Sequence, residues 1–273
     1  MSMFIRRNLM AAAFAAGMTA ATPAAQAQSD GTAWADIRAS LFGDAALVED
    51  GLVAIEAPYR AEDAAIVPVT IRTALSEDDP RTVARLTLVI DENPAPVAAT
   101  FILGPAAGVT AIATRVRVNA YTPVHVVAEL SDGSLHMAET FVKASGGCAA
   151  PMAKDAELAL ANLGKMKMRW FGGDAAGAAD DPGHATAQLM IRHPNNSGLQ
   201  MDQLTRFYIP AHFVSNVTIR QGEALVLQME GGISISEDPN FRIEFRSSGA
   251  PLTVEASDTE GNEFGQTFPV EGS

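Results

Sequence analysis

Few side chains in this sequence can do covalent chemistry, and one stands apart. Cys148 is the only cysteine among 273 residues, and it lies in Ser145-Gly146-Gly147-Cys148-Ala149-Ala150-Pro151, a run of small residues. A lone thiol has no internal disulfide partner, so in an exported protein it is either a small buried hydrophobe or a group kept for chemistry. Two glycines before it and two alanines after it offer little bulk to cover the sulfur. Glycine also opens backbone angles closed to other residues. The reading that follows is a displayed thiol on an arm, with Gly146 and Gly147 as its hinge. The thiolate is the nucleophilic form, so the chemistry expected is capture of an electrophilic group as a covalent adduct.

A thiol hydrolase acting alone would need a histidine base within hydrogen-bond reach. The candidates are His125, His136, His184, His193 and His212. No His-x-x-x-His pair, paired cysteines or acidic loop with metal-ligand spacing is legible, nor is a glycine-rich phosphate loop. The expectation is a carrier rather than an enzyme, with no catalytic residue, no metal and no cofactor of its own.

The elements that must hold Cys148 read as strands. Leu86, Leu88 and Ile90 alternate with polar or smaller residues, as do Thr114, Val116 and Val118 with Arg115, Arg117 and Asn119. This is the period of a half-buried strand. Ser131-Asp132-Gly133-Ser134 carries a hairpin signal. A two-residue turn there sets Leu130 against Leu135, Ala128 against Met137 and Val124 against Phe141, with His125, Glu129 and His136 on the solvent side. The second strand then runs through Phe141 and Val142 straight into the cysteine segment.

Beyond Cys148, Asp155 to Leu163 is rich in helix formers that Gly164 can end, and Trp34 to Phe42 reads as another short helix. Gly172 to Gly183 lacks periodicity and large apolar groups and reads as a linker. Alternation resumes in Phe241, Ile243 and Phe245 and in Leu252, Val254 and Ala256, with Ser247-Ser248-Gly249-Ala250 as a hairpin between them. Ala224 to Met229 is apolar at nearly every position, as in a strand covered on both faces. Short strands in each half, at this spacing, make the chain all-β with two β-sandwiches.

The first 27 residues read as a secretory leader. Arg6 and Arg7 precede an apolar run from Leu9 to Ala21, and Ala25-Gln26-Ala27 has the form of a cleavage site. The run is too short to span a bilayer, and no later segment approaches the roughly 20 apolar residues required. The expectation is a periplasmic protein without membrane insertion. Nineteen basic residues against 32 acidic ones give a net charge of −13. Such a chain repels nucleic acid, and no basic cluster argues otherwise. The expected organisation is a leader over 1–27, a first sandwich ending in the cysteine arm over 28–151, a short helix and linker over 152–183, and a second sandwich over 184–273.

With these residues in view, the chain resembles the sulfur-oxidation carrier SoxYZ, with SoxY-like and SoxZ-like parts in one polypeptide. The SoxY-like part covers roughly 32–151. It rests on Trp34, Leu41-Phe42-Gly43, Glu92-Asn93-Pro94-Ala95-Pro96, Ser131-Asp132-Gly133, Val142-Lys143 and Gly146-Gly147-Cys148. The SoxZ-like part covers roughly 185–270, through Ile191-Arg192-His193-Pro194, Ser197-Gly198-Leu199, Ile209-Pro210-Ala211-His212-Phe213 and Asp258 with Gly261.

The resemblance implies two immunoglobulin-like sandwiches and a carrier thiol at Cys148 that holds thiosulfate-derived sulfur for separate enzymes. The family's arm ends in Gly-Gly-Cys-Gly-Gly, whereas here Ala149-Ala150-Pro151 follows and the chain continues. That departure is similar to fused SoxYZ-like carriers associated with quinoprotein dehydrogenases. Partners are therefore expected among periplasmic sulfur-oxidation or quinoprotein dehydrogenase enzymes. A dimer linked through Cys148 is a side role that a displayed thiol allows. The rival reading is a non-covalent accessory module for a periplasmic dehydrogenase, in which Cys148 is dispensable.

Overall fold

The structure is a computed structural model that describes residues 32–76, 78–151, 156–171, 177–178 and 181–270. The expected leader over 1–27 therefore lies outside the described residues, as does much of the expected linker. A helix, α1 (Thr32–Phe42), precedes β1 (Leu47–Val48), β2 (Val53–Glu56), β3 (Val67–Thr73), β4 (Val83–Ile90) and β5 (Val97–Leu103). Then come β6 (Ala111–Val116), β7 (Thr122–Leu130) and β8 (Leu135–Val142), which complete the first half. The second half comprises α2 (Ala156–Ala161), β9 (Met166–Phe171), β10 (Gly177–Ala178), β11 (Asp181–Pro182) and β12 (His184–Ile191). It continues through β13 (Val214–Gln221), β14 (Ala224–Gly231), β15 (Asn240–Arg246), β16 (Leu252–Asp258) and β17 (Glu263–Phe268). No described helix is long and apolar enough to cross a membrane.

The strands form two large sheets, and both pass from one half of the chain into the other. One sheet has nine strands in the order β1-β8-β7-β4-β5-β14-β13-β16-β17, and the other six in the order β2-β3-β6-β15-β12-β9. The junctions are antiparallel pairings of β5 with β14, including Phe101 opposite Met229, and of β6 with β15, including Ile112 opposite Ile243. The two immunoglobulin-like halves are thus joined edge to edge, and their interiors merge into one apolar core. Phe101 and Phe241 meet edge to face across that junction at 6.3 Å. Pairing these edges satisfies backbone groups that an isolated half would leave open.

The alternations read from sequence point where the pattern requires. Leu86, Leu88 and Ile90 are buried, as are Val116 and Val118, Phe241, Ile243 and Phe245, and Leu252, Val254 and Ala256. Ala224 to Met229 lies within β14, an interior strand between β5 and β13.

Three local expectations need correction. The β7–β8 hairpin is shifted by one residue, with Glu129 opposite Leu135, Val127 opposite Met137 and His125 opposite Glu139. Its loop holds three residues rather than two: the Leu130 N–H donates to the Ser134 carbonyl at 3.0 Å, and Gly133 takes φ +82°. A one-residue slip moves every β8 side chain to the other face. Independently of the register, His125 is buried, not solvated, because its face of β7 is covered. Trp34 of α1 stacks on it at 3.8 Å, and its two ring nitrogens meet Asp91 and Glu139, each at 3.0 Å. His136 is also buried, with Nδ1 3.0 Å from Asp50.

Ser247 to Ala250 does not form a hairpin. It carries the chain from β15 in one sheet to β16 in the other. The Gln221 amide takes up the turn's polar groups, accepting from the Ser248 N–H at 2.8 Å and donating to the Ala250 carbonyl at 2.9 Å. Finally, the interval between the halves is partly sheet. β9 pairs along its whole length with β12, and β10 and β11 form a small ribbon.

Candidate functional site

The chain leaves β8 at Val142 and is stitched at once to the segment that follows β6. Gly146 N–H donates to the Asn119 carbonyl at 2.8 Å, and Gly147 N–H donates to the Val118 carbonyl at 3.0 Å. Ala149 N–H then donates back to the Gly146 carbonyl at 3.2 Å, which closes a tight turn with Cys148 inside it. Gly146 adopts φ +79° with open space around it, an arrangement that suits a hinge. Gly147 is different. A Cβ there would fall 2.0 Å from the Ala64 carbonyl oxygen and 2.7 Å from that of Val118. It is glycine because two backbones pass too close for a side chain, so in this conformation it anchors the segment.

The thiol itself is covered. Cys148 is 0% exposed, although Gly146 and Ala149 on either side face solvent. The expectation of a displayed thiol is corrected on this point. Its immediate neighbours are small, and the turn that carries it is bonded to residues about 50 positions later. Ser197 donates its hydroxyl to the Cys148 carbonyl, and Gln200 Nε2 donates to the Ala150 carbonyl at 3.0 Å. Gln200 Oε1 meanwhile accepts the Ser197 N–H at 3.0 Å, so one amide both braces this loop and holds the cysteine turn. Burial pushes the Cys148 thiol pKa up from its ordinary value, against an opposing pull from the Arg117 guanidinium.

Arg117 ties the two halves together beneath the turn. It is 1% exposed, and it donates to the Gly147 carbonyl at 3.2 Å and to the Asn195 carbonyl at 3.3 Å. Its backbone is fixed by Ser234 and Asn93: Arg117 N–H donates to the Ser234 carbonyl at 2.7 Å, and Asn93 Nδ2 donates to the Arg117 carbonyl at 2.7 Å. Asn195, at φ +44°, accepts the Val214 N–H on Oδ1 at 3.1 Å and passes its own N–H to His193 Nδ1 at 3.0 Å.

That bond leads into a buried cluster of His193, His212 and Asp258, whose donor atoms all lie within 4.8 Å of one another. Asp258 Oδ2 is 2.8 Å from His212 Nε2 and 3.3 Å from His193 Nε2, and it also accepts Asn262 Nδ2 at 2.8 Å. Oδ1 accepts the N–H groups of Glu260 and Asn262, both at 2.9 Å. Burial opposes the Asp258 charge, but these donors outweigh it and hold the carboxyl well below the usual carboxylate range. Burial also lowers the His193 pKa.

Two histidines and a carboxylate are a plausible ligand set in type. A metal-bound histidine normally donates its other ring N–H to an acceptor. His193 Nδ1 instead accepts a backbone N–H, which leaves the proton on Nε2, facing Asp258. The cluster is therefore a hydrogen-bonded brace for the loops that reach Cys148.

Of the residues singled out in sequence, the structure brings His193 and His212 together, while His125, His136 and His184 stand on β7, β8 and β12 outside that cluster. Arg117, Asn195, Gln200 and the role of Asp258 were not legible. The polar run Asn195-Asn196-Ser197, buried between apolar strands, was the available signal.

Two immunoglobulin-like sandwiches with one thiol clasped at their seam define the class of molecule. Residues 38–148 match the family described as sulfur oxidation protein SoxY, and residues 175–269 match sulphur oxidation protein SoxZ. The chain belongs to these families as a fused SoxY–SoxZ polypeptide. No curated protein matches it. Among solved structures, it is similar to the sulfur carrier protein SoxY from Chlorobium limicola f thiosulfatophilum. That match has 26% identity over 42% of this chain and 93% of the other, with a TM-score of 0.36. Two forms of superoxide reductase (neelaredoxin) from Ignicoccus hospitalis match at 11% identity over 33% of this chain and 77% of theirs, with a TM-score of 0.30.

Proposed function

We propose that this sulfur-oxidation protein is a covalent carrier. Its Cys148 thiol takes up a sulfur group, thiosulfate-derived or related, and presents it to partner enzymes. The observation that carries this reading is that the SoxY match runs to Cys148 itself, the chain's one thiol. The carrier supplies no catalytic residue of its own, and the oxidation and hydrolysis of its cargo belong to the partners. Exchange requires the turn over 146–150 to lift, because the resting thiol is covered. Three hydrogen bonds to the turn's carbonyls, from Arg117, Ser197 and Gln200, and the bond from the Gly147 N–H to the Val118 carbonyl resist that motion. At about 1 kcal/mol net for each, they gate the thiol without locking it. Gly146 is the hinge about which it turns.

The carrier works after export, in the periplasm, and its partners are sulfur-oxidation enzymes or a quinoprotein dehydrogenase system. The fusion and the internal cysteine favour the latter. A Cys148-linked dimer requires the same opening. The intact mass of protein recovered from its native exported fraction, before and after reductant, tests the proposal. A reductant-labile adduct that is absent from Cys148→Ser supports it. A bare thiol that stays bare after exposure to thiosulfate or sulfide with a mild oxidant overturns it. One observation favours the rival non-covalent module: a fully buried thiol with a raised pKa is poorly reactive as it stands. In that case Cys148→Ser would keep full pathway activity.

A further inference from the structure

A buried guanidinium needs a counter-charge, because desolvating an unpaired ion is costly. Arg117 is almost wholly buried, yet among the described residues no carboxylate forms an ion pair with it. Its direct partners are two neutral carbonyls, and its Nε is buried with no partner at all. Glu237, the Cys148 sulfur when ionised, and Asp63 act on it through charge without a direct hydrogen bond. One of those two carbonyls belongs to Gly147, the peptide group that joins Gly147 to Cys148. The unmatched charge therefore sits against the residue that carries the thiol.

We infer that Arg117 is the anion site of the carrier: it pairs with a negatively charged, sulfonate-terminated group held on Cys148. This rests on the carrier reading and adds to it the residue that holds the cargo's charge. A neutral thiol leaves the guanidinium half satisfied. An adduct ending in a sulfonate supplies acceptor oxygens that match the guanidinium fork. The loaded state is thereby favoured over a neutral adduct of similar size.

Tetrathionate is a direct probe. The Cys148 thiolate attacks an inner sulfur, a new S–S bond forms, and the central S–S bond of tetrathionate breaks. Thiosulfate leaves with the electron pair, and Cys148 retains –S–SO3⁻ on its sulfur, with no other oxidant needed. Methyl methanethiosulfonate gives the neutral comparison, leaving –S–CH3 on the sulfur and releasing methanesulfinate. In the full-length wild-type protein, the tetrathionate-loaded form should melt above the methylthio form.

The rate of iodoacetate relative to iodoacetamide should fall about tenfold in Arg117→Gln and be largely kept in Arg117→Lys. The wild-type comparison of melting temperatures needs no variant, so a folding defect in Arg117→Gln does not decide the matter. Equal or lower stability of the anionic adduct, or an unchanged reagent ratio in Arg117→Gln while Cys148 still loads, overturns the inference and leaves the carrier reading standing. A thiol that accepts neither sulfur reagent overturns both.

Discussion

The Ser197 hydroxyl donates to the Cys148 carbonyl, so the SoxZ-like half holds shut the turn that bears the SoxY-like thiol. Gln200 repeats the hold one peptide pair further on, at the Ala150 carbonyl. In this chain the second half is therefore a latch as well as a scaffold. Fusion into one polypeptide keeps latch and thiol at fixed stoichiometry.

Loosening the latch should release the thiol. Ser197→Ala and Gln200→Ala each remove a bond worth about 1 kcal/mol net. If exchange passes through the open turn, each should speed Cys148 alkylation by neutral iodoacetamide roughly five- to tenfold at fixed pH. Stopped alkylation followed by intact mass measures this. Equal rates in wild type and both variants would mean that the turn does not limit access.

The two glycines before Cys148 should respond differently to alanine. At Gly146 the space is open, so the cost is that of a left-handed conformation, about 1–2 kcal/mol. At Gly147 the new Cβ meets two carbonyl oxygens at 2.0 and 2.7 Å, and the turn must move away from Ala64 and Val118. Overpacking of this kind costs about 1–3 kcal/mol or more. Gly147→Ala should therefore lower stability more than Gly146→Ala and also speed alkylation of Cys148. Denaturant titration together with iodoacetamide kinetics separates the two effects.

How much of this was legible in sequence depends on how far apart the cooperating residues lie. The strands around Leu86, Val116, Ile243 and Val254 were readable because alternation is local and each face decides itself. The hairpin at Asp132-Gly133 was located correctly but misregistered. A Gly in the left-handed region serves two-residue and three-residue loops alike, and the flanking residues do not say which. His125 looked solvated because the cover on its face comes from Trp34, some 90 residues earlier. Cys148 looked displayed for a similar reason, since the side chains that hold its turn down, Arg117, Ser197 and Gln200, are remote in sequence. His193, His212 and Asp258 stand on three separate segments, and no spacing rule connects them.

The Asp258 cluster gives the fold a direction of pH sensitivity. His193 has a folded pKa below its ordinary value of about 6.5, so as pH falls through that value the unfolded chain takes up a proton that the folded one refuses. Asp258 is also depressed, so below about pH 4 the unfolded chain again binds more protons. Both effects lose stability on acidification, the first below about pH 6.5 and the second below about pH 4. Asp258→Asn should flatten the lower part of this profile. It should also cost about 1–3 kcal/mol at neutral pH, because the asparagine NH2 faces donors that a carboxylate oxygen accepted from. Melting temperatures between pH 3 and 8 for both proteins measure this.

Shared sheets predict what happens when the chain is cut. Residues 28–151 carry β5 and β6, and residues 152–273 carry β14 and β15, the edges that pair across the junction. A break between 151 and 156 keeps β9 with its neighbour β12. It severs one covalent link and leaves both sheet pairings and the Ser197–Cys148 latch intact. Coexpressed, the two pieces should copurify as a one-to-one complex in which Cys148 keeps the slow alkylation of the uncut protein. Expressed alone, each piece exposes two unpaired apolar edges and should aggregate. Monomeric, well-folded pieces that ignore each other in size-exclusion chromatography would show that the seam contributes little. The thiol's cover would then have to be sought in the SoxY-like half alone.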